Sequence, residues 1–505
     1  MEMFDLLAHR ARQNPDHLAL EDLGTGERFT YGELNKRASR IAQAAVQHWA
    51  LKPGDRIAWL GESRAEFFAL LFACGKAGLI LVPLNWRLAQ GELLQLLEDC
   101  SPVVLIHTAS FRDKACDLQS SRTELQLLDM DGASDQLGYA YDLNRVNPDL
   151  APVPPSDPDR PWYLLYTSGT TGRPKGVVQT FRMMLANYLS IGTAVSLASS
   201  DVLLNVLPLF HTSGINLYST GVLFVGGTVL VAPTFDPDQT LEVLEQRATV
   251  FFGVPAIYQA LLDHPDFDGA RLRGVRSWSC GGAALSLPVA QRYVELGIKI
   301  RTGYGMTETG PSVFLADEDR VIEKIGSVGR PLIMTQVRLV DPSGCDVEKQ
   351  QAGELLVRGP GITPGYWQQP DATTSAFTAD GWLRTGDIAR CDADGFFTLV
   401  DRSKDMFISG GENVYPAEIE KVLLQHPLIR EVAVIGVPDS KWGEVGKAFI
   451  ICDVGEEIPA PEDLRAFCSQ HLATYKIPAS FVQQDHLPRN AMGKITKQEL
   501  RHGYR

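Results

Sequence analysis

Residues 166–176 read Tyr-Thr-Ser-Gly-Thr-Thr-Gly-Arg-Pro-Lys-Gly, a stretch with three glycines, three threonines, a serine and one lysine. Glycines let backbone N–H groups approach an anion, hydroxyls donate to it, and Lys175 adds a point charge. That combination suits a polyphosphate. It is not a Walker A loop, because no Gly-Lys-Ser/Thr follows four residues after the first glycine. A solvated turn would have no need of glycines, hydroxyls and a lysine together. The apolar run 162–166 before the loop has the composition of a buried strand, and 180–189 after it reads as a helix. The expectation is a strand–loop–helix turn.

Six further stretches carry residue types with a chemical use. In 303–310, Gly-Tyr-Gly-Met-Thr-Glu-Thr-Gly, the ring of Tyr304 can lie flat against a base, Thr307 offers a hydroxyl to phosphate, and Glu308 offers oxygen to Mg²⁺. Glu308 stands where a third glycine would be, so this is not a dinucleotide fingerprint. Asp387 closes Gly-Trp-Leu-Arg-Thr-Gly-Asp, and Asp-Arg-Ser-Lys-Asp follows at 401–405. An aspartate held at a turn can accept both hydroxyls of a ribose. Residues 408–420, beginning Ile-Ser-Gly-Gly-Glu-Asn and continuing into Pro-Ala-Glu, place adjacent glycines before a helix start. Residues 208–214, Pro-Leu-Phe-His-Thr-Ser-Gly, set His211 among apolar neighbours. In 279–285, Ser-Cys-Gly-Gly-Ala-Ala-Leu, the glycines make a wall that a flat ring or an acyl chain can approach closely.

Together with Pro-Arg-Asn-Ala-Met-Gly-Lys at 488–494, these segments resemble, in order, the motifs of the adenylate-forming superfamily of acyl-CoA synthetases, peptide-synthetase adenylation domains and luciferases. The resemblance runs over essentially the whole chain. It implies that carboxylate and Mg·ATP give an acyl-adenylate and pyrophosphate, after which a thiol displaces AMP. It implies catalytic roles for Lys494, Thr307, Glu308 and His211. ATP or AMP would be held by Thr167, Ser168, Gly169, Thr170, Thr171, Gly172, Lys175, Gly281, Gly282, Ala283, Gly303, Tyr304, Gly305, Asp387 and Arg402. Glu308 and Thr167 would serve the metal, and Lys404 would sit at a hinge. Ser409, Gly410, Gly411 and Trp442 would form the path of coenzyme A. His211, Ser213, Gly214, Gly281 and Met306 would border the acyl pocket. ATP, Mg²⁺ and coenzyme A are the implied cofactor and co-substrates. The physical part played by Lys494 would be to stabilise charge developing at the α-phosphate, from a domain that can move between half-reactions.

These residues must be positioned by a scaffold, and the rest of the chain supplies one. From 1 to about 148, strands alternate with helices, as in a largely parallel sheet covered on both faces; 200–256 repeats the theme. Beyond about 326, short strands punctuated by Asp-Gly turns suggest a small β-barrel, and from 402 a compact unit of roughly 100 residues reaches the end. The fold class is therefore α/β: an N-terminal domain, 1–401, of two doubly wound subdomains plus a barrel, with a small mobile C-terminal α+β domain, 402–505.

The 505 residues exceed one core. A formal net charge of −14 disfavours nucleic-acid partners and docking on anionic membrane. The most apolar segment, 67–83, is interrupted by Lys76 and two glycines, which fits a buried helix and strand better than a membrane span. Acids at the N-terminus argue against a signal peptide, and the eight scattered cysteines form no Cys-x-x-Cys, so a reducing cytoplasm is expected. A homodimer is compatible with the sequence, which carries no signal for oligomeric state.

An α-amino acid substrate would need an acidic partner for its ammonium, and Phe210-His211-Thr212 offers none. A luciferase is disfavoured because no Ser-Lys-Leu ends the chain. Scaffold segments such as Phe-Ala-Cys-Gly-Lys-Ala-Gly at 72–78 look most like bacterial feruloyl-CoA and 4-chlorobenzoate-CoA ligases, with mycobacterial-type fatty acyl-CoA synthetases next. An aromatic or arylpropenoic acid is the expected substrate, a medium- or long-chain fatty acid the alternative. A non-catalytic acyl-adenylate or nucleotide sensor fits less well, since a sensor could do without Lys494.

Overall fold

A computed structural model describes residues 5–132, 138–147, 157–168, 174–402, 405–409, 412–439, 442–453, 457–472, 474–489 and 495–502. Contacts divide the chain into two units, Met1–Val337 with Val357–Leu383, and Arg338–Leu356 with Arg384–Arg505.

Among the described residues the first unit holds two sheets of the expected kind. One has nine strands, with Ile300–Tyr304, Ser277–Cys280, Val250–Gly253, Val202–Asn205, Thr228–Val231 and Leu18–Asp22 running parallel in that spatial order. Short antiparallel strands finish both edges. The other has six strands, with Gln126–Asp129, Val104–His107, Arg56–Leu60, Ile80–Pro83 and Pro161–Ser168 parallel and Pro174–Thr180 antiparallel at the edge. Parallel strands buried on both faces read as continuous apolar runs, which is how Val-Leu-Ile and Ile-Leu-Val-Pro appear in the sequence.

Helix Ala65–Ala77 packs against strands of both sheets and is buried at every position. Its backbone begins on Asp22, whose Oδ2 accepts from Ala65 N at 2.9 Å, and ends at Gly78 in the left-handed region at φ 76°. Such depth forces its charges to be paired. Glu66 accepts both bonds of the Arg37 Nε donor, at 2.8 and 3.1 Å, and a bond from the Tyr139 hydroxyl. Lys76 donates to Asn35 Oδ1 at 2.9 Å and to Asp5. The expected buried helix and strand over 67–83 are thus observed. Among the described residues no helix is long and apolar enough to cross a membrane. All eight cysteines are free.

One expectation needs correction. The chain after the phosphate-loop candidate continues as a strand, Pro174–Thr180, hydrogen-bonded back onto Pro161–Ser168. The loop is a hairpin tip and not a strand–helix turn. Val177 and Val178, β-branched and buried, face Leu165 and Leu164 across the pair, so a strand and not a turn leads from the loop to the helix. The helix expected over 180–189 is observed as Phe181–Asn187, capped by the Thr180 hydroxyl, which accepts from Met183 N at 3.3 Å, and a wider turn, Tyr188–Gly192, follows it.

The strands expected of a barrel form a four-stranded sheet in chain order, Gln336–Val340, Ala352–Arg358, Leu383–Cys391 and Phe397–Arg402, most of whose residues belong to the second unit. The five-stranded sheet of the second unit is built on the long antiparallel pair Ile429–Asp439 and Gly443–Cys452, with Phe407–Ser409, Glu412–Val414 and Ser480–Gln483 added. Each face of that sheet has its own apolar cluster, one around Val434 and Ile450, the other around Ile435 and Phe449.

Candidate active site

In the first unit the candidate segments follow the carboxyl ends of parallel strands, where open α/β sheets bind their ligands. Residues 205–214 follow Val202–Asn205, 281–285 follow Ser277–Cys280, 303–310 end Ile300–Tyr304, and the phosphate-loop candidate follows Pro161–Ser168.

The register brings them together. Cys280 pairs with Thr302, so Gly281 comes beside Gly303. A Cβ on Gly281 would stand 3.3 Å from both Gly303 O and the Phe252 ring, and one on Gly305 would fall 1.5 Å from Pro311 O. A side chain is excluded at Gly305, where backbone passes backbone, and is tightly opposed at Gly281. Gly282 adopts φ 81°, and Ala283 next to it is exposed. Behind this wall, Tyr218 and Phe252 lie with ring centres 6.0 Å apart, and the Tyr218 hydroxyl shares a 2.8 Å hydrogen bond with Ser279 Oγ.

At the hairpin tip Thr167 and Lys175 are direct strand partners. The Lys175 ammonium sits 4.8 Å from the centre of the Tyr366 ring, and the Tyr366 hydroxyl donates to Glu308 Oε1 at 3.0 Å. Glu308 is buried, in the short turn Thr307–Thr309, whose first carbonyl accepts from Gln179 Nε2 at 2.9 Å. Burial and the neighbouring carboxylate both push the Tyr366 phenol well above its ordinary value. Tyr304 is half-buried, its ring 6.0 Å from Phe314, and its hydroxyl lies 4.0 Å from Met306 Sδ.

The segment carrying His211 is fixed from beneath. Gly214 has no room for a side chain, since a Cβ would fall 2.4 Å from Pro208 O. Its carbonyl accepts from Asn205 Nδ2 at 2.7 Å and from Ser219 Oγ at 2.9 Å. Ser213 opens the turn Ser213–Leu217, and His211 is half-buried with its ring centre 4.5 Å from that of Phe210.

In the second unit, Asp387 is buried and is the strand partner of Arg402. Ser409 pairs with Glu412 on one side and with Gly443 on the other, next to Trp442, whose side chain is 48% exposed. Arg489 and Ile495, which flank the lysine motif, form an antiparallel bridge. Gly169, Thr170, Thr171, Gly172, Lys404, Gly410, Gly411 and Lys494 lie outside the described residues; only the backbone of Ser168 and Arg402 is described.

A single buried carboxylate with an adjacent threonine fits Mg²⁺ brought in by a polyphosphate, which needs one or two protein oxygens and takes the rest from phosphates and water. The other metal-like grouping among the described residues, Asp238, His264 and Asp266, does not fit. His264 Nδ1 accepts from Asp266 N at 3.2 Å, so its proton sits on Nε2 and goes to Asp238 Oδ1 at 3.0 Å. That is a hydrogen-bonded surface triad.

Tyr366, Gln179 and Asn216 hold this site, although no motif in the sequence points to them. Tyr366 has one faint signal, a Gly-Tyr-Trp in a stretch rich in glycine and proline.

Residues 7–367 match the model of the AMP-binding enzyme family, and 418–494 that of the AMP-binding enzyme C-terminal domain. The chain is 42% identical to a feruloyl-CoA synthase of Amycolatopsis sp over 494 residues, 97% of each protein. It superposes on ATP-bound MatB from Rhodopseudomonas palustris with a TM-score of 0.90 at 33% identity, covering 99% of this chain and 98% of that one. The o-succinylbenzoate coenzyme A synthetase MenE of Bacillus subtilis, in complex with ATP and magnesium ion, gives a TM-score of 0.85 at 31% identity over 99% of this chain and all of its own (100%). The chain belongs to the AMP-binding enzyme family, as an acid–thiol ligase of the adenylate-forming superfamily.

Proposed function

We propose that this ligase converts an aromatic or arylpropenoic acid of the hydroxycinnamate type into its coenzyme A thioester. The observation that carries the reading is the likeness to a feruloyl-CoA synthase over 97% of both chains. The aromatic wall of Phe252 and Tyr218 behind Gly281 supports it, because a planar acid can lie against such a surface.

A carboxylate oxygen attacks the α-phosphorus of ATP, the bond to the bridging oxygen breaks, and pyrophosphate leaves. The coenzyme A sulfur then attacks the acyl carbon, and AMP leaves with the carboxylate-derived oxygen. Lys175 and Thr167 at the hairpin tip engage the phosphates, Tyr304 stacks on the base, and Asp387 and Arg402 take the ribose and phosphate. Glu308 holds the metal, which supplies neutralisation of phosphate charge when bound. Lys494 stabilises the first transition state. His211, Ser213, Gly214, Gly281 and Met306 border the acid, while Ser409, Gly410, Gly411 and Trp442 line the thiol's approach. The body 402–505 turns about Lys404 between the two steps, in a cytoplasmic protein.

Parallel incubation with ATP, coenzyme A and ferulate, benzoate or decanoate, following AMP and thioester, tests the choice. Ferulate or benzoate should be turned over roughly a hundredfold better than decanoate by kcat/KM, a difference of about 2.7 kcal/mol. Turnover confined to decanoate would assign the pocket to fatty acids.

A further inference from the structure

Residues 363–367 form a strap along strand Pro174–Thr180. The Thr363 hydroxyl donates to Val178 O at 2.6 Å, Val178 N to Gly365 O at 3.1 Å, and Trp367 N to Gly176 O at 2.7 Å. The same strap reaches the Thr307–Thr309 turn, since Thr363 N donates to Glu308 O at 2.8 Å. Tyr366 lies in the middle and faces two opposite charges. The electron-rich face of its ring meets the Lys175 ammonium, 4.8 Å from the ring centre, and its hydroxyl proton goes to Glu308 Oε1, 3.0 Å away. One side chain therefore touches both the lysine of the phosphate hairpin and the glutamate of the neighbouring turn. The strap is bonded to both the hairpin and the turn, which places the Tyr366 side chain between these two groups.

We infer that Tyr366 is a positioning residue: it sets the Glu308 carboxylate for a divalent cation and the Lys175 ammonium for the triphosphate, coupling metal binding to nucleotide binding. The inference rests on the reading of Glu308 as the metal-holding group. A phenol at neutral pH is a donor, so its bond to one carboxylate oxygen selects the orientation in which the carboxylate meets the cation. Without the hydroxyl, Glu308 must find that orientation on binding, and metal affinity falls. Without the ring, Lys175 also loses the surface that holds its ammonium.

The test is calorimetric binding of ATP to the full-length protein, with excess magnesium and again with EDTA. The readout is the ratio of the two dissociation constants within each variant, so any inactive fraction cancels. Tyr366→Phe keeps the ring and should shrink the magnesium-dependent gain roughly tenfold while leaving the EDTA value within about twofold. Tyr366→Ala should in addition weaken binding in EDTA about threefold. Glu308→Gln should abolish the gain. A Tyr366→Phe protein that keeps the full gain while Glu308→Gln loses it overturns the inference and leaves the metal assignment standing. If Glu308→Gln also keeps the gain, the metal assignment fails and the inference goes with it.

Discussion

Asn216 Nδ2 donates to the carbonyl of Gly310 across 2.6 Å, joining the turn that follows His211 to the end of the Gly-Tyr-Gly-Met-Thr-Glu-Thr-Gly segment. Asn216 is fully buried, and its side-chain Oδ1 accepts from Thr220 Oγ1 at 2.7 Å. Asn187 belongs to the same network, donating to Leu217 O at 3.1 Å and accepting from Ser312 Oγ at 2.7 Å. The 213–217 turn and the 303–312 segment are thus registered by two buried amides. Asn216→Leu keeps the branched shape but removes both side-chain bonds and leaves the Gly310 carbonyl without this donor, which should cost roughly 2–4 kcal/mol of stability. Denaturant unfolding would measure that, and kcat/KM for the acid should fall with it even where the protein remains folded.

Gly305→Ala should abolish adenylate formation, because its Cβ would fall 1.5 Å from Pro311 O and the backbone carrying Tyr304 and Met306 would have to move. Gly274, where an added Cβ would meet nothing within 4 Å, is the matched control. Gly274→Ala should change stability by no more than about 0.5 kcal/mol and leave pyrophosphate exchange intact. Equal activity in the two variants would mean that the 303–310 backbone tolerates displacement.

Strand Leu18–Asp22 is tied to the end of helix Pro237–Gln246 by Glu21, which accepts from Arg247 Nη1 and Nη2 at 2.8 and 2.7 Å. The Arg247 hydrogen bond holds the Glu21 carboxyl below its ordinary value of 4.5, against a smaller opposing effect of burial. A carboxyl lowered in the folded state stabilises above its ordinary value and loses that contribution as pH falls through the lowered one. With Arg247 37% exposed, Glu21→Gln should cost only about 1 kcal/mol at pH 7 after solvent screening. Thermal melts should show the gap between the two proteins closing below about pH 4; a gap independent of pH would mean the ion pair contributes nothing.

Much of this architecture is legible in the sequence, for physical reasons. Alternating strands and helices announce a parallel sheet because both faces must be covered, and helix Ala65–Ala77 is apolar on most faces because strands of both sheets pack on it. Glycines such as 303 and 305 are readable as close-approach points, since a position where backbone meets backbone accepts nothing larger. The hairpin at 161–180 escapes a local reading because Val177 and Val178 suit a strand or a buried helix, and only pairing with Leu165 and Leu164 decides between them. Asn216, Gln179 and Tyr366 are invisible for a different reason. Their partners lie 94, 128 and 58 positions away in the chain, and no local pattern marks a polar side chain that bonds at such a distance.

The most direct measurement follows an oxygen atom. Supplied with ferulate labelled at both carboxylate oxygens with oxygen-18, together with ATP, magnesium and coenzyme A, the enzyme should release AMP carrying one heavy oxygen per turnover and pyrophosphate carrying none. Label in pyrophosphate, or AMP free of it while thioester forms, would contradict attack of the acid on the α-phosphorus.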